Sequence, residues 1–288
     1  RRLHTAMALV NRPKVLMLDE PTTGVDIATR ARLLEAIVRL TADDGCAVLY
    51  STHYLPEVEE LGRVLNRMGA RVEGAGTDTI IVIGRDELDP FDHAVIADRI
   101  EAGTFLAAVG AAGGDVLLEQ APFDDLEPVV AKLRRAGMTI EREGEHVRVV
   151  REGPIRAVQA TTAPHPGFPT DMQAQLMAMM CGAVGQSVLT ETIFENRFMH
   201  VPELCRMGAR IEVRNNVAFV DGVPRLSGAS VMATDLRASA SLVIAGLVAE
   251  GETVVRRVYH LDRGYEGIER KLSGVGASVE RFALEGPP

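Results

Sequence analysis

The chain has 288 residues, 47% of them hydrophobic and 25% charged, with a formal net charge of −9 at pH 7. This is the composition of a globular protein with room for one large domain or two of ordinary size. The acidic balance argues against broad nucleic-acid binding, which needs a basic face.

No apolar run reaches the roughly 18–20 residues that a membrane-spanning helix requires, and no signal-peptide pattern follows Arg1. Cys46, Cys181 and Cys205 lie far apart without metal-ligand or disulfide-framework spacing. They read as small, buried, reduced thiols, and a cytoplasmic protein without metal or other cofactor is expected.

The first sixty residues follow one pattern. Val15-Leu16-Met17-Leu18 reads as a buried parallel strand ending in Asp19-Glu20-Pro21. Thr22-Thr23-Gly24-Val25-Asp26, a helical stretch to about Thr41, a second apolar run Ala47–Tyr50 and Ser51-Thr52-His53 follow. This order resembles the part of an ABC-transporter ATPase that runs from the Walker B strand to the switch histidine. By that resemblance Asp19 would hold Mg²⁺, Glu20 would orient the attacking water, and Asp26 and His53 would belong to the D-loop and the switch. A lone acidic pair at a strand end is more often a simple turn, and ATP binding also needs a glycine-rich loop followed by lysine. None of Lys14, Lys132 and Lys271 follows a glycine. Residues 1–62 are therefore expected to hydrolyse no ATP, and so short a piece buries a marginal core.

From about residue 63 an internal repeat takes over. Leu65…Gly69, Leu133…Gly137, Leu204…Gly208 and Leu272…Gly276 share the form Leu-x-x-x-Gly, with glycines 137 − 69 = 68, 208 − 137 = 71 and 276 − 208 = 68 residues apart. Each glycine is expected to close a helix in the left-handed conformation. Between these markers, Asp98, Asp171 and Asp235 occupy matching places before apolar helical stretches, and all three are expected to cap helices. Strands are predicted over Asp115–Glu119, Ser187–Glu191 and Glu252–Val258, with a hairpin around Asn215-Asn216 joining Arg210–Val213 to Val217–Val220. The unit reads strand-helix-strand-helix-strand-strand. Helices apolar on most faces should pack together inside a ring of sheets.

Six motifs in order carry a specific likeness: Ala75-Gly76-Thr77-Asp78, Asp98–Thr104, Thr162–Gln173, Glu191–His200, Ala233–Arg237 and His260–Tyr265. The series resembles the UDP-N-acetylglucosamine 1-carboxyvinyltransferase family of enolpyruvyl transferases, over residues 63–284. The resemblance implies an α/β fold of inside-out barrels built from βαβαββ units, with residues 63–96 the remnant of one domain and residues 97–284 the second. It implies transfer of the enolpyruvyl group of phosphoenolpyruvate to the 3-hydroxyl of UDP-N-acetylglucosamine for peptidoglycan. Asp171 would be the general base, Arg197, Arg237 and Arg263 would meet the anionic groups, and Ile193 would pack on the nucleotide sugar. Asp235 would lie near the reacting atoms. The family's lysine and reactive cysteine loop have no counterpart here, so little transferase activity is expected of this chain. A component working with a transporter membrane subunit and a noncatalytic ligand-binding module are the alternatives.

Overall fold

The computed structural model of the chain describes residues 15–19, 47–51, 55–75, 79–85, 87–90, 97–164 and 166–282. The chain divides into two units, Arg1–Ala94 and Val95–Pro288.

In the first unit, β1 (Val15–Asp19) and β2 (Ala47–Ser51) pair in parallel, with Val15 opposite Ala47 and Asp19 opposite Ser51. The parallel pairing matches the sequence reading. Helix α1 (Leu55–Arg67) runs without a break through residues 62 and 63, where the two sequence patterns meet. It leads into an antiparallel hairpin of β3 (Arg71–Glu73) and β4 (Ile81–Ile83). The side chain of Asn66 ties helix to hairpin, donating to Val72 O at 2.8 Å and accepting from Val72 N at 2.7 Å.

The second unit is the repeat. Its elements in order are α2 (Arg99–Ala112), β5 (Gly114–Leu118), a 3-10 turn Phe123–Leu126, α3 (Glu127–Arg135), β6 (Thr139–Glu143) and β7 (His146–Arg151). The order helix-strand-helix-strand-strand recurs after β8 (Gln159–Thr161) and a 3-10 turn Thr170–Met172, as α4 (Gln173–Met180), β9 (Gln186–Thr190), α5 (Val201–Arg206), β10 (Arg210–Arg214) and β11 (Val217–Asp221). A third pass gives β12 (Leu226–Ser227), β13 (Ser230–Met232), α6 (Leu236–Gly246), β14 (Ala249–Glu250), β15 (Val254–Arg256), a 3-10 turn Val258–Arg263 and α7 (Ile268–Gly274).

Sheet topology repeats as well. The middle sheet runs β10-β11-β9-β8, with β8 parallel to β9 and the other neighbours antiparallel. The first runs β5-β7-β6, the same arrangement for its three strands. In the third, β12 pairs with β14 and β13 with β15, both in parallel.

Helices α2, α4 and α6 pack on one another at the centre. Every residue of α4 is buried, and α2 and α6 bury residues around most of their circumference. A helix apolar all round has nowhere to stand but inside, so the expected arrangement of helices within sheets is the observed one. The contacts are close: a Cβ on Gly103 would lie 2.8 Å from Met172 Sδ, and one on Gly110 would lie 2.6 Å from Met179 Cε. Flexible methionines fill the space beside these bare backbones. The outer helices α3, α5 and α7 bury one stripe each, including Leu133, Leu204 and Leu272.

Those three leucines, with Leu65 of α1, explain the Leu-x-x-x-Gly repeat. Gly69, Gly137, Gly208 and Gly276 all have positive φ, between 86° and 105°. In each case the residue after the glycine donates its N–H to the leucine carbonyl: Ala70 to Leu65 at 3.0 Å, Met138 to Leu133 at 3.2 Å, Ala209 to Leu204 at 3.0 Å, Ala277 to Leu272 at 3.1 Å. This is a Schellman closure, in which only glycine turns left-handed without a steric penalty and the leucine packs against the apolar residue beyond it. The hairpin turn is also as expected, with Asn215 at φ 55° and Arg214 opposite Val217.

Candidate functional site

The three matching aspartates part company in the structure. Asp98 caps α2, accepting from Ile100 N at 2.7 Å. Asp235 caps α6, accepting from Arg237 N at 2.8 Å and Ala238 N at 2.9 Å. Asp171 caps nothing, contrary to the sequence expectation. It lies inside the 3-10 turn that precedes α4, a turn entered through Pro169. The turn satisfies its own amides, Met172 N donating to Pro169 O at 3.0 Å, and among the described residues no backbone donor claims the Asp171 carboxylate.

Two guanidinium groups hold it instead. Arg197 Nη2 donates to Asp171 Oδ1 at 2.6 Å, and Arg237 Nη2 donates to Oδ2 at 3.0 Å. The side chains are 38% exposed for Asp171, 21% for Arg197 and 14% for Arg237. Burial pushes the Asp171 carboxyl up, but Arg237 and Arg197 outweigh it and hold the group below the ordinary carboxylate range. The result is an ionised carboxylate with an open side, flanked by two cations whose planar forks suit a phosphate or a carboxylate equally well.

Each arginine is itself held. Arg197 lies over the Phe194 ring, 4.8 Å from its centroid. Arg237 Nη1 donates to Tyr265 Oη at 3.2 Å, and Tyr265 is fully buried. Behind it the hydroxyls of Tyr265 and Thr104 lie 2.9 Å apart, Gln175 Nε2 donates to both, and Thr104 Oγ1 donates to Ile100 O at 2.8 Å. A chain of polar contacts thus runs from Asp171 into the centre of the helical core, where a low dielectric strengthens it.

The other expected site residues are placed as follows. Ile193 is 38% exposed beside Phe194 on the turn that follows β9. Asp235 commits Oδ1 to its helix, and its Oδ2 lies 3.4 Å from Thr234 Oγ1. Arg263 is exposed at the end of the 3-10 turn Val258–Arg263 and is not joined to Asp171. Asp19 ends β1 opposite Ser51, while Glu20, Asp26 and His53 lie outside the described residues.

Cys181 is buried, donates to Met177 O, and burial pushes its thiol up to about 12, as fits an inert core residue. Cys205 is exposed, correcting the expectation of a buried thiol. Helix α5 buries Val201 and Leu204, and the position after Leu204 turns off that face. Cys46 lies outside the described residues. Among the described residues no group of His, Cys, Asp and Glu could hold a metal, and no helix is long and apolar enough to cross a membrane.

Two buried polar residues escaped the sequence reading. Glu191 follows β9 and accepts from Thr162 and Thr170 side chains. Its signal was available: an acidic residue at the carboxyl end of a parallel strand, the position used to single out Asp19 and Glu20. His200, at the start of α5, is buried with Nε2 unpartnered among the described residues. Burial pushes it down to about 4 against the smaller opposing effect of the Asp235 carboxylate, and no local pattern announces that.

The sequence model of EPSP synthase (3-phosphoshikimate 1-carboxyvinyltransferase) matches residues 34–272. The chain belongs to this family. It is 71% identical over 228 residues to a UDP-N-acetylglucosamine 1-carboxyvinyltransferase of Sorangium cellulosum, covering 78% of this chain and 54% of that protein. It is 54% identical over 260 residues to a protein of the same description from Myxococcus xanthus, covering 90% of this chain and 62% of the relative. The crystal structure of the enolpyruvyl transferase NikO from Streptomyces tendae is similar with a TM-score of 0.70 at 28% identity, over 92% of this chain and 64% of that one. The chain therefore spans a little over half to just under two thirds of the length of these relatives. The family match begins at residue 34, inside the segment expected from its sequence motifs to be an ATPase fragment.

Proposed function

We propose that this chain carries the sugar-hydroxyl base and the anion-binding arginines of an enolpyruvyl transfer from phosphoenolpyruvate to the 3-hydroxyl of UDP-N-acetylglucosamine, a cytoplasmic step of peptidoglycan precursor synthesis. The reading rests above all on Asp171, the one aspartate of the three released from capping and set between Arg197 and Arg237.

The attacking hydroxyl must lose its proton as its oxygen bonds to the enolpyruvyl carbon and phosphate departs. An ionised carboxylate with an open face can take that proton. Its depressed proton affinity is a handicap that the substrate removes. When the phosphate and carboxylate of phosphoenolpyruvate take up the guanidinium forks, the cations are neutralised and Asp171 becomes the stronger base. Arg263, exposed and unpaired among the described residues, is free to meet the same anion. Exposed Ile193 and Phe194 offer an apolar shelf to the nucleotide sugar. No cofactor is needed for these roles.

Calorimetric titration of the whole chain with phosphoenolpyruvate tests the reading. Binding is expected, weakened about a hundredfold by Arg237→Ala, which removes a charge-assisted contact to the anion. Phosphate release with both substrates present is expected to be small and absent in Asp171→Asn. Failure to bind phosphoenolpyruvate would sink the proposal. Binding without release, unchanged by Asp171→Asn, would favour a noncatalytic ligand-binding module.

A further inference from the structure

Glu191 is only 2% exposed, and no basic side chain pairs with it among the described residues. Its carboxylate instead gathers four neutral donors. Oε1 accepts from Thr162 Oγ1 at 2.8 Å, Ile193 N at 2.8 Å and Phe194 N at 3.2 Å, while Oε2 accepts from Thr170 Oγ1 at 2.7 Å. Its backbone is fixed as well, N donating to Asn216 O at 2.8 Å and O accepting from Asn216 Nδ2 at 2.9 Å. Burying a carboxyl group is costly unless hydrogen bonds replace its water, and here four do.

The four donors lie on three separate pieces of chain. Thr170 is the residue before Asp171. Ile193 and Phe194 open the turn whose far end is Arg197, and Phe194 supplies the ring beneath the Arg197 guanidinium. Thr162, just past the end of β8, also accepts from Thr192 N at 2.8 Å. One side chain thus fixes the turn carrying Asp171 to the turn carrying Arg197.

We propose that Glu191 is a positioning residue that sets the separation of Asp171 and Arg197. It touches neither group and, being buried, reaches no ligand. It acts by holding the backbone on both sides of the 2.6 Å contact between them, the kind of supporting contact without which a reactive pair drifts out of register. The inference rests on the reading of Asp171 and Arg197 as the working pair, but its decisive measurement does not.

That measurement is the titration of the Asp171 carboxyl by ¹³C NMR in the intact chain and two variants. In Glu191→Gln the amide oxygen can still serve Thr162, Ile193 and Phe194, and the amide NH₂ can donate to Thr170, whose hydroxyl turns to accept. Glu191→Ala removes all four bonds. The wild type and Glu191→Gln are expected to titrate below the ordinary aspartate range, and Glu191→Ala to move up towards it. Phosphoenolpyruvate affinity should fall about tenfold in Glu191→Ala and stay within about threefold in Glu191→Gln, because small misplacements of positioned groups are costly. Should Glu191→Ala fail to fold, Thr170→Val removes a single bond and is expected to shift the titration the same way by less.

The proposal is overturned by an unshifted Asp171 titration in a folded Glu191→Ala or Thr170→Val. It is equally overturned if Glu191→Gln behaves as Glu191→Ala, since the charge and not the positioning would then matter. An Asp171 titration that moves as expected in a chain that binds no phosphoenolpyruvate would leave the positioning role standing and end the functional reading.

Discussion

The stretch from α2 to β7 and the stretch from α4 to β11 use the same elements in the same order, yet they differ at two corresponding places. The first enters its central helix through Asp98 as a cap, and the second through a 3-10 turn that leaves Asp171 unclaimed. The first starts its outer helix from buried Leu126, and the second from buried His200, each just before a proline in the first turn. The first repeat has kept both positions for folding. In the second the aspartate is freed from capping and histidine stands where the first has leucine, and the turn's own backbone takes over the hydrogen bonding at its start. A repeat fold makes this exchange easy, because the packing supplied by the other units tolerates a local departure in one.

The largest effects should appear where the two repeats are alike. Leu106 of α2 and Leu176 of α4 are both fully buried in the central helix cluster. Replacing either by alanine should cost about 2–5 kcal/mol in denaturant unfolding. A cost under about 1 kcal/mol at one of them would break the equivalence of the two central helices.

The next effect separates the repeats by pH. His200 is buried and neutral with its folded value down at about 4, against an ordinary histidine near 6.5. The unfolded chain therefore takes up the proton first, and stability is full above about pH 6.5 and falls steadily towards about pH 4. Asp171 adds a second loss lower down. Its folded value lies below the ordinary carboxylate range, so its contribution is present above that range and disappears as pH falls through the folded value. Melting temperatures of His200→Leu, which restores the first repeat's choice, should be flatter between pH 6.5 and 4.5 than those of the wild type. Equal slopes would remove His200 from this account.

Smaller effects test the caps. Asp98→Ala and Asp235→Ala should each cost about 1 kcal/mol through loss of an N-cap. Asn at the same positions still accepts from the free amides and should recover most of it. Asp171→Asn removes no cap, and its signature should be disappearance of the lowest acid transition. The smallest effect belongs to Arg148, which forms a two-pronged pair with Asp115 at 2.9 and 2.6 Å between β7 and β5. Both side chains are 49% exposed. Although the pair is as short as that of Asp171 with Arg197, Arg148→Ala should leave stability within measurement scatter, because water competes for an exposed ion pair.

Much of this fold was legible from sequence because its rules are local. Leu-x-x-x-Gly names a helix end: only glycine takes the left-handed angle cheaply, and leucine with its carbonyl closes the turn within five residues. Asn215 turns a hairpin for the same local reason. Helices apolar on most faces announced that they lie inside the sheets. The six motifs found the family and named Asp171, Arg197 and Arg237, which the fold brings into contact. What sequence by itself could not decide was which of three equivalent aspartates is free. That depends on whether a 3-10 turn satisfies its own amides, a difference of one residue in how the chain enters α4. It also depends on contacts spanning 26 and 66 residues of chain, from Asp171 to Arg197 and to Arg237. Glu191 is the same case in stronger form. Its carboxylate looks like any strand-end acid until the tertiary fold brings Thr162, Thr170 and the Ile193-Phe194 amides around it, because a hydrogen-bonding site made from three separate segments exists only once those segments have packed.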